Sequence, residues 1–288
     1  LSSIISLFVF GMNYGIDFKG GSILEIQYLG EKPDASAVEA SAMSAGVKGF
    51  SVRPSGESEF IVRTPHLDEA TRLSLINALN GNGKWPLEQK RFSSVGPSLG
   101  KELASKALLS IALVIGAILL FIAFAFRKVS EPVSSWKYGI IAIVGLIHNV
   151  IIPAGAFALF GHYFGAEVDS LFVTALLVIL GFSIHDTIVV FDRVRENLRK
   201  NIEYNKKEMF EETVGKSVSQ TIARSINTSL TTLFVLFALY LWGPESTKWF
   251  SLTLLIGIAV GTYSSIFLGS TLLVNVEEWQ RNKTEKKK

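Results

Sequence analysis

Ser170–Glu196 reads SLFVTALLVILGFSIHDTIVVFDRVRE. About twenty apolar residues make one bilayer span, and this stretch supplies them with an acid, Asp186, inside the run. A carboxylate at that depth costs about 2.5 to 3.5 kcal/mol on insertion scales, so it calls for a partner or a task. Arg224, in the next apolar segment, is the expected partner. It lies about as far past the start of its helix as Asp186 lies before the end of its own. In antiparallel neighbours the two then share one depth, about 9 Å below the interface at 1.5 Å per residue.

The rest of the chain has the same character. Of its 288 residues 49% are hydrophobic and only 18% charged, and the mean hydropathy is +0.37; soluble chains carry about 25% charge. This is the composition of a polytopic membrane protein. With no cysteine, disulfides, thiolate metal sites and cysteine nucleophiles are excluded. No nucleotide loop or metal-ligand constellation is present, so neither an enzyme nor a cofactor or metal is expected, and no residue is assigned as catalytic.

Residues 1–12 hold an apolar run, Leu1 to Phe10, too short to cross a bilayer, and are expected to be the outer half of a truncated first span. A signal peptide would show a basic n-region and a small-residue cleavage site, and neither is visible. Residues 13–103 are polar with balanced charge, unlike a basic surface for nucleic acid. Ser22 to Leu29, Phe50 to Arg53, Glu59 to Arg63 and Trp85 to Ser93 read as strands. Asp34 to Ala45 and Leu67 to Asn80 read as helices, the first opening on an acid after Pro33 and the second stopped by Gly81, Asn82 and Gly83. The order βαββαβ is that of a ferredoxin-like α+β domain. His66, after Pro65, reads as a solvated loop residue.

Residues 104–288 are expected to form five further spans: Ala107 to Phe126, Tyr138 to Phe160, Ser170 to Phe191, Val218 to Trp242 and Phe250 to Val276. With the clipped start that makes six transmembrane helices. Lys and Arg number three in Arg127 to Lys137, seven in Arg193 to Ala223 and five in Gln280 to Lys288, against none in Gly161 to Asp169 and Lys248 alone in Gly243 to Trp249. The basic segments belong in the cytoplasm, which puts both termini inside and residues 13–103 outside. Trp136, Trp242 and Trp249 stand at span ends, where indole rings anchor to membrane lipid.

Ser217, Gln220, Thr221, Arg224, Asn227, Thr228 and Thr231 recur at steps of three and four, as one polar helix face that does not suit lipid. Interhelical hydrogen bonding accounts for the hydroxyls, whereas a permanent charge at Arg224 points to function. His148 and Asn149 lie near mid-membrane in the third span, and an imidazole is a side chain that can take up and release a proton, as a relay requires. His185 sits beside Asp186 but points about 100° away from it. Asp192 and Arg193 read as boundary residues. Gly257, Gly261, Ser265 and Gly269 make a row of small residues in the last span, suited to close helix packing within the bundle or against a second subunit.

Several strings together resemble one family, SecF, the smaller membrane subunit of the SecD–SecF export motor. Gly15-Ile16-Asp17-Phe18-Lys19-Gly20-Gly21 resembles its entry to the external domain, and Val95-Gly96-Pro97-Ser98-Leu99-Gly100 its return to the membrane. SIHDTIVVFDRVREN, Ser183 to Asn197, is similar to its fourth-span signature, and SINTSLTT, Ser225 to Thr232, to its fifth. The resemblance implies an RND-superfamily fold in a bacterial inner membrane, a SecD partner, attachment to the SecYEG channel and an unfolded exported polypeptide as cargo. It also implies proton flow through Asp186 and Arg224, with His148, Asn149, His185 and Asn227 as relay neighbours and the proton gradient as the energy source. Where the family often has His-Asp in the third span this chain has His148-Asn149, one carboxylate fewer, and where it has Asn-Asp in the fourth this chain has His185-Asp186. The competing reading is half of an RND-type exporter of small molecules or lipids, for which an outer domain of this size is a small funnel. Gly15, Asp17, Gly20, Gly21, Gly96 and Gly100 are expected to act as hinges for the outer domain.

Overall fold

The computed structural model describes residues 1–125 and 135–285. Contacts divide the chain into two units, Tyr14–Leu108, and Leu1–Asn13 together with Leu109–Lys288. The first helix, α1 (Ser2–Phe10), belongs to the latter.

In the Tyr14–Leu108 unit, one short turn, α2 (Ile16–Lys19), leads into β1 (Gly21–Tyr28). Then follow α3 (Ala35–Ser44), β2 (Ser51–Ser55), β3 (Glu59–Thr64), α4 (Glu69–Leu79) and β4 (Leu87–Val95). All pairings are antiparallel and the strand order is β2-β3-β1-β4. Strand side chains alternate between faces, so Leu24, Ile26 and Tyr28 of β1 and Phe60 and Val62 of β3 bury one face of the sheet. Val38 and Ala42 of α3 and Leu75 and Leu79 of α4 cover it. The α4 start is held by Asp68, whose Oδ1 accepts the Thr71 amide at 2.8 Å. Two expected boundaries move. Pro54 lies inside β2, an edge strand, where a missing N–H costs no ladder bond. The last strand starts at Leu87, not Trp85, because the Trp85 amide is spent closing the turn onto the Asn80 carbonyl at 3.0 Å.

Helix α5 (Pro97–Ala125), which belongs to the first unit as far as Leu108, is followed in the second by α6 (Ser135–Phe164), α7 (Ser170–Glu203), α8 (Phe210–Trp242), α9 (Glu245–Tyr263), a π-helical turn Ser264–Leu268 and α10 (Gly269–Glu285). The last three run on as one span. Among the described residues five helices are long and apolar enough to cross a membrane. Ile122, Tyr138, Leu146, Leu180, Phe191 and Leu273 form the buried core of α5, α6, α7 and α10. The α1 helix packs on α6, its Ser6 hydroxyl donating to the Gly155 carbonyl at 2.8 Å. Trp249 stacks among Phe157, Phe160 and Phe164, whereas Trp136 and Trp242 are exposed, as ring anchors at a headgroup level would be.

The long basic connector expected at Arg193 to Ala223 is mostly helix. Side-chain pairs Arg193–Glu196, Arg195–Asp192, Arg199–Glu203 and Lys200–Glu196 sit at three- and four-residue spacings, which supports helix beyond the apolar stretch, so only Tyr204–Met209 joins α7 to α8. Phe126, most of the connector Arg127 to Lys137 and the last three lysines of the tail lie outside the described residues.

Candidate functional site

Asp186 projects from α7 into the bundle and is 3% exposed. The Ser229 hydroxyl of α8 faces its carboxyl, and Oδ2 has no hydrogen-bond partner. Behind Ser229 stands Thr262 of α9, which donates to it at 2.6 Å. A second contact point lies one turn along α7. There Ser183, 1% exposed, presses against Gly261, where even a methyl group would collide with its hydroxyl, and the Asn149 amide of α6 is 3.8 Å from the same point. Asn149 is itself buried, and its Oδ1 pairs with His148 Nδ1 at 3.0 Å. A polar cluster from four helices therefore occupies the interior: Asn149, Ser183 with Asp186, Ser225 with Ser229, and Thr262 beside Gly261.

The expected Asp186–Arg224 ion pair is not made within this chain. Arg224 is exposed on α8, on the side away from the helices that enclose Asp186. The single polar stripe expected on this helix divides by burial. Ser217, Thr221, Ser225 and Ser229, at steps of four, are buried, whereas Gln220, Arg224, Asn227, Thr228 and Thr231 are exposed. At 100° per residue the two sets overlap in direction, Arg224 pointing about 20° from Ser217 and about 140° from Ser229, so burial and not spacing separates them. His185 is exposed and His148 half-buried.

The antiparallel register of α7 and α8 is set lower down by amides. Asn197 Nδ2 donates to Ser217 Oγ at 2.8 Å and to Gln220 Oε1 at 3.0 Å, and Asn201 Nδ2 donates to Glu208 Oε2 at 2.8 Å and to Thr213 Oγ1 at 3.0 Å. Asn197 and Ser229 stand inside the quoted family strings with no role of their own assigned there, and nothing in the sequence marked Asn201 or Thr262. The four-residue run from Ser217 to Ser229 was the available signal.

The small-residue row of the last span packs inside the bundle. A Cβ on Gly257 would collide with Ile179 and one on Gly261 with Ser183, both on α7; Ser265 is buried and Gly269 lies by Phe191. Of the glycines expected as hinges, Gly20 and Gly100 form a close joint within the Tyr14–Leu108 unit. A Cβ at Gly20 would stand 2.9 Å from Pro97 Cα, and one at Gly100 would stand 2.9 Å from Gly20 N and 3.1 Å from Phe18 O. Gly20 has φ +78° and Gly21 φ +139°, where a Cβ would lie 2.8 Å from Thr64 O. Gly15 caps α2, Asp17 occupies its first turn, and Gly96 has open space. The entry and return strings thus meet backbone to backbone.

Residues 75–279 match the family described as protein export membrane protein SecD/SecF, C-terminal, and residues 5–28 match the SecD/SecF GG motif. Protein translocase subunit SecF of Thermobaculum terrenum is 43% identical over 290 residues, covering 95% of this chain and 87% of that one. Its counterpart in Anaerolinea thermophila is 37% identical, covering 97% and 90%. The crystal structure of SecDF, a translocon-associated membrane protein from Thermus thermophilus, aligns with TM-score 0.80 at 32% identity over 97% of this chain and 36% of that chain. This chain therefore spans about a third of that larger protein.

Proposed function

Because this chain belongs to the SecD/SecF family of protein-export membrane proteins, we propose that it acts as the SecF-type subunit of an export motor driven by the proton gradient. In this reading Asp186 takes up and releases protons. The helices around it shift between the two states, and the outer domain, a ferredoxin-like fold on the far side from the basic segments, moves with them and helps draw unfolded polypeptide outward. The chain crosses the membrane six times, counting the span to which α1 belongs, with both termini in the cytoplasm. Its energy comes from proton flow and not from a bound cofactor. A proton crossing 100 mV supplies about 2.3 kcal/mol, enough to bias such a shift.

The observation that carries this reading is the Asp186 carboxyl itself, buried among membrane helices with one oxygen unpartnered. A structural acid would be fully paired, since unpaired burial costs several kcal/mol. The exposed Arg224 face adds a partner. A guanidinium with Gln220, Asn227, Thr228 and Thr231 around it is costly against lipid, so this face is assigned to a second membrane subunit of SecD type. The SecYEG channel then receives the assembled pair.

The test is gradient-dependent export in membrane vesicles that carry the partner subunit and the channel, with Asp186→Asn and Arg224→Met. Both variants are expected to insert normally and to lose the gradient-dependent component. Full activity in correctly inserted Asp186→Asn overturns the reading.

A further inference from the structure

Hydroxyls inside membrane helices ordinarily bond back to a carbonyl one turn earlier. That is what Thr174, Thr187, Thr221, Thr228, Ser251 and Thr253 do here, at 2.7 to 3.0 Å. Ser183 and Ser225 do not. Each is buried, at 1% and 2% exposure, and neither hydroxyl has a hydrogen-bond partner. A buried unpaired polar group is unfavourable by about 1 to 3 kcal/mol. Two such exceptions, one on the helix that carries Asp186 and one on the helix that faces it, ask for a common reason.

Register supplies it. Asn197 meets Ser217 and Asn201 meets Thr213, so four residues forward on α7 match four back on α8. Carried along the pair, this register brings Asp186 level with Ser229, as its carboxyl contact requires. Ser225 then lies about three residues, roughly 4.5 Å, from Asp186 along the axis toward the α7–α8 loop, and Ser183 the same distance on the other side. Beyond Ser183, across the gap that Gly261 leaves open, come Asn149 and His148.

We propose that Ser225 and Ser183 are the proton-relay groups on either side of Asp186, giving this chain an internal line Ser225, Asp186, Ser183, Asn149. Single waters span each step, since two hydrogen bonds in series cover the spacing. As one proton arrives, the Ser225 hydroxyl accepts it and gives up its own to the Asp186 carboxylate. On the far side the Asp186 proton passes to water, and the Ser183 hydroxyl accepts one from that water while releasing its own to a next water, which the Asn149 amide orients without taking the proton itself. Every O–H bond formed is matched by one broken, so one proton crosses and each hydroxyl is restored. Gly261 is a positioning residue here, because any side chain would drive Ser183 off this line. The proposal rests on the assignment of Asp186 made above.

Proton flux and thermal stability separate it from a structural role. The chain is reconstituted with its partner subunit in proteoliposomes, an imposed gradient is read with an internal pH dye, and melting is followed on the same samples. Ser183→Ala and Ser225→Ala delete only an unbonded hydroxyl, so a packing role expects normal flux. The relay expects flux to fall about tenfold or more, the scale of a lost proton-transfer group, with melting unchanged or higher. Ser183→Thr and Ser225→Thr keep the hydroxyl and are expected to recover flux relative to their alanine counterparts. Ser251→Ala, whose hydroxyl bonds back to Thr247 at 2.9 Å, is expected to leave flux unchanged. Flux within twofold of wild type in both alanine variants overturns the relay. If Asp186→Asn abolishes flux in that same experiment, the relay alone has failed; if Asp186→Asn also conducts normally, the Asp186 assignment has failed with it.

Discussion

Replacing Gly257 by Ala tests the contact that sets how closely the last span approaches α7. The added methyl meets Ile179 at its tip and at its stem, both closer than real Cβ contacts come, and at its Cγ2 branch at 3.1 Å. Ile179 is fully buried, at 0% exposure, and as a β-branched residue it has few rotamers to escape into. Alanine in place of glycine favours a helix by about 1 kcal/mol. Overpacking a filled core costs about 1 to 3 kcal/mol, and three contacts with one immobile side chain point to the upper end. The net expectation is a loss of about 1 to 2 kcal/mol. The comparison is Gly181→Ala on α7, where nothing lies within 4 Å of the new methyl, so the propensity term acts alone and stability holds or rises. Both are read by thermal unfolding of the purified chain in detergent. Gly257→Ala with Ile179→Ala is expected to melt higher than Ile179→Ala alone, since the new methyl then fills space. Equal melting of Gly257→Ala and Gly181→Ala would show that the two spans separate freely, and the packing argument would fall.

Three further expectations come from particular contacts. Asn197→Ala removes the amide that reaches Ser217 and Gln220 and is expected to cost about 1 to 3 kcal/mol; a double-mutant cycle with Ser217→Ala that shows no coupling refutes the clamp. Gly20→Ala places a methyl 2.9 Å from Pro97 Cα at φ +78° and is expected to open the joint, seen as faster protease cleavage between Gly15 and Gly21, with unchanged cleavage as the contrary result. In the Tyr14–Leu108 unit burial pushes the Tyr28 phenol up from 10.0 to about 12. The folded state there keeps its proton longer than the unfolded chain, so the associated stability is whole below pH 10 and is lost as pH rises towards 12. Tyr28→Phe, which also gives up the hydroxyl's bond to Leu79 O, is expected to flatten that alkaline loss in hydrogen exchange of β1, and an identical slope in the variant contradicts it.

Much of this protein was already decided by local properties of its chain. Apolar run length sets which segments cross a membrane, alternation marks β1 and β3, and a lone acid in an apolar stretch singles out Asp186, because each property depends only on neighbours along the chain. The αβ order of the Tyr14–Leu108 unit followed in the same way. Which face of a helix meets which neighbour did not, because that depends on residues far away in the chain. The polar residues of α8 formed one stripe by spacing yet divide into buried and exposed ones, and only packing showed that Ser229, and not Arg224, stands before Asp186. The glycine strings looked like hinges because glycine permits rotation. In space Gly20 and Gly100 lie against backbone, so at these two positions the missing side chain serves close approach. The charged stretch after Phe191 read as a loop, since hydropathy falls there, yet ion pairs at helical spacing carry α7 on to Glu203. Composition determines what a segment can tolerate, whereas the partner it tolerates is chosen by tertiary contact.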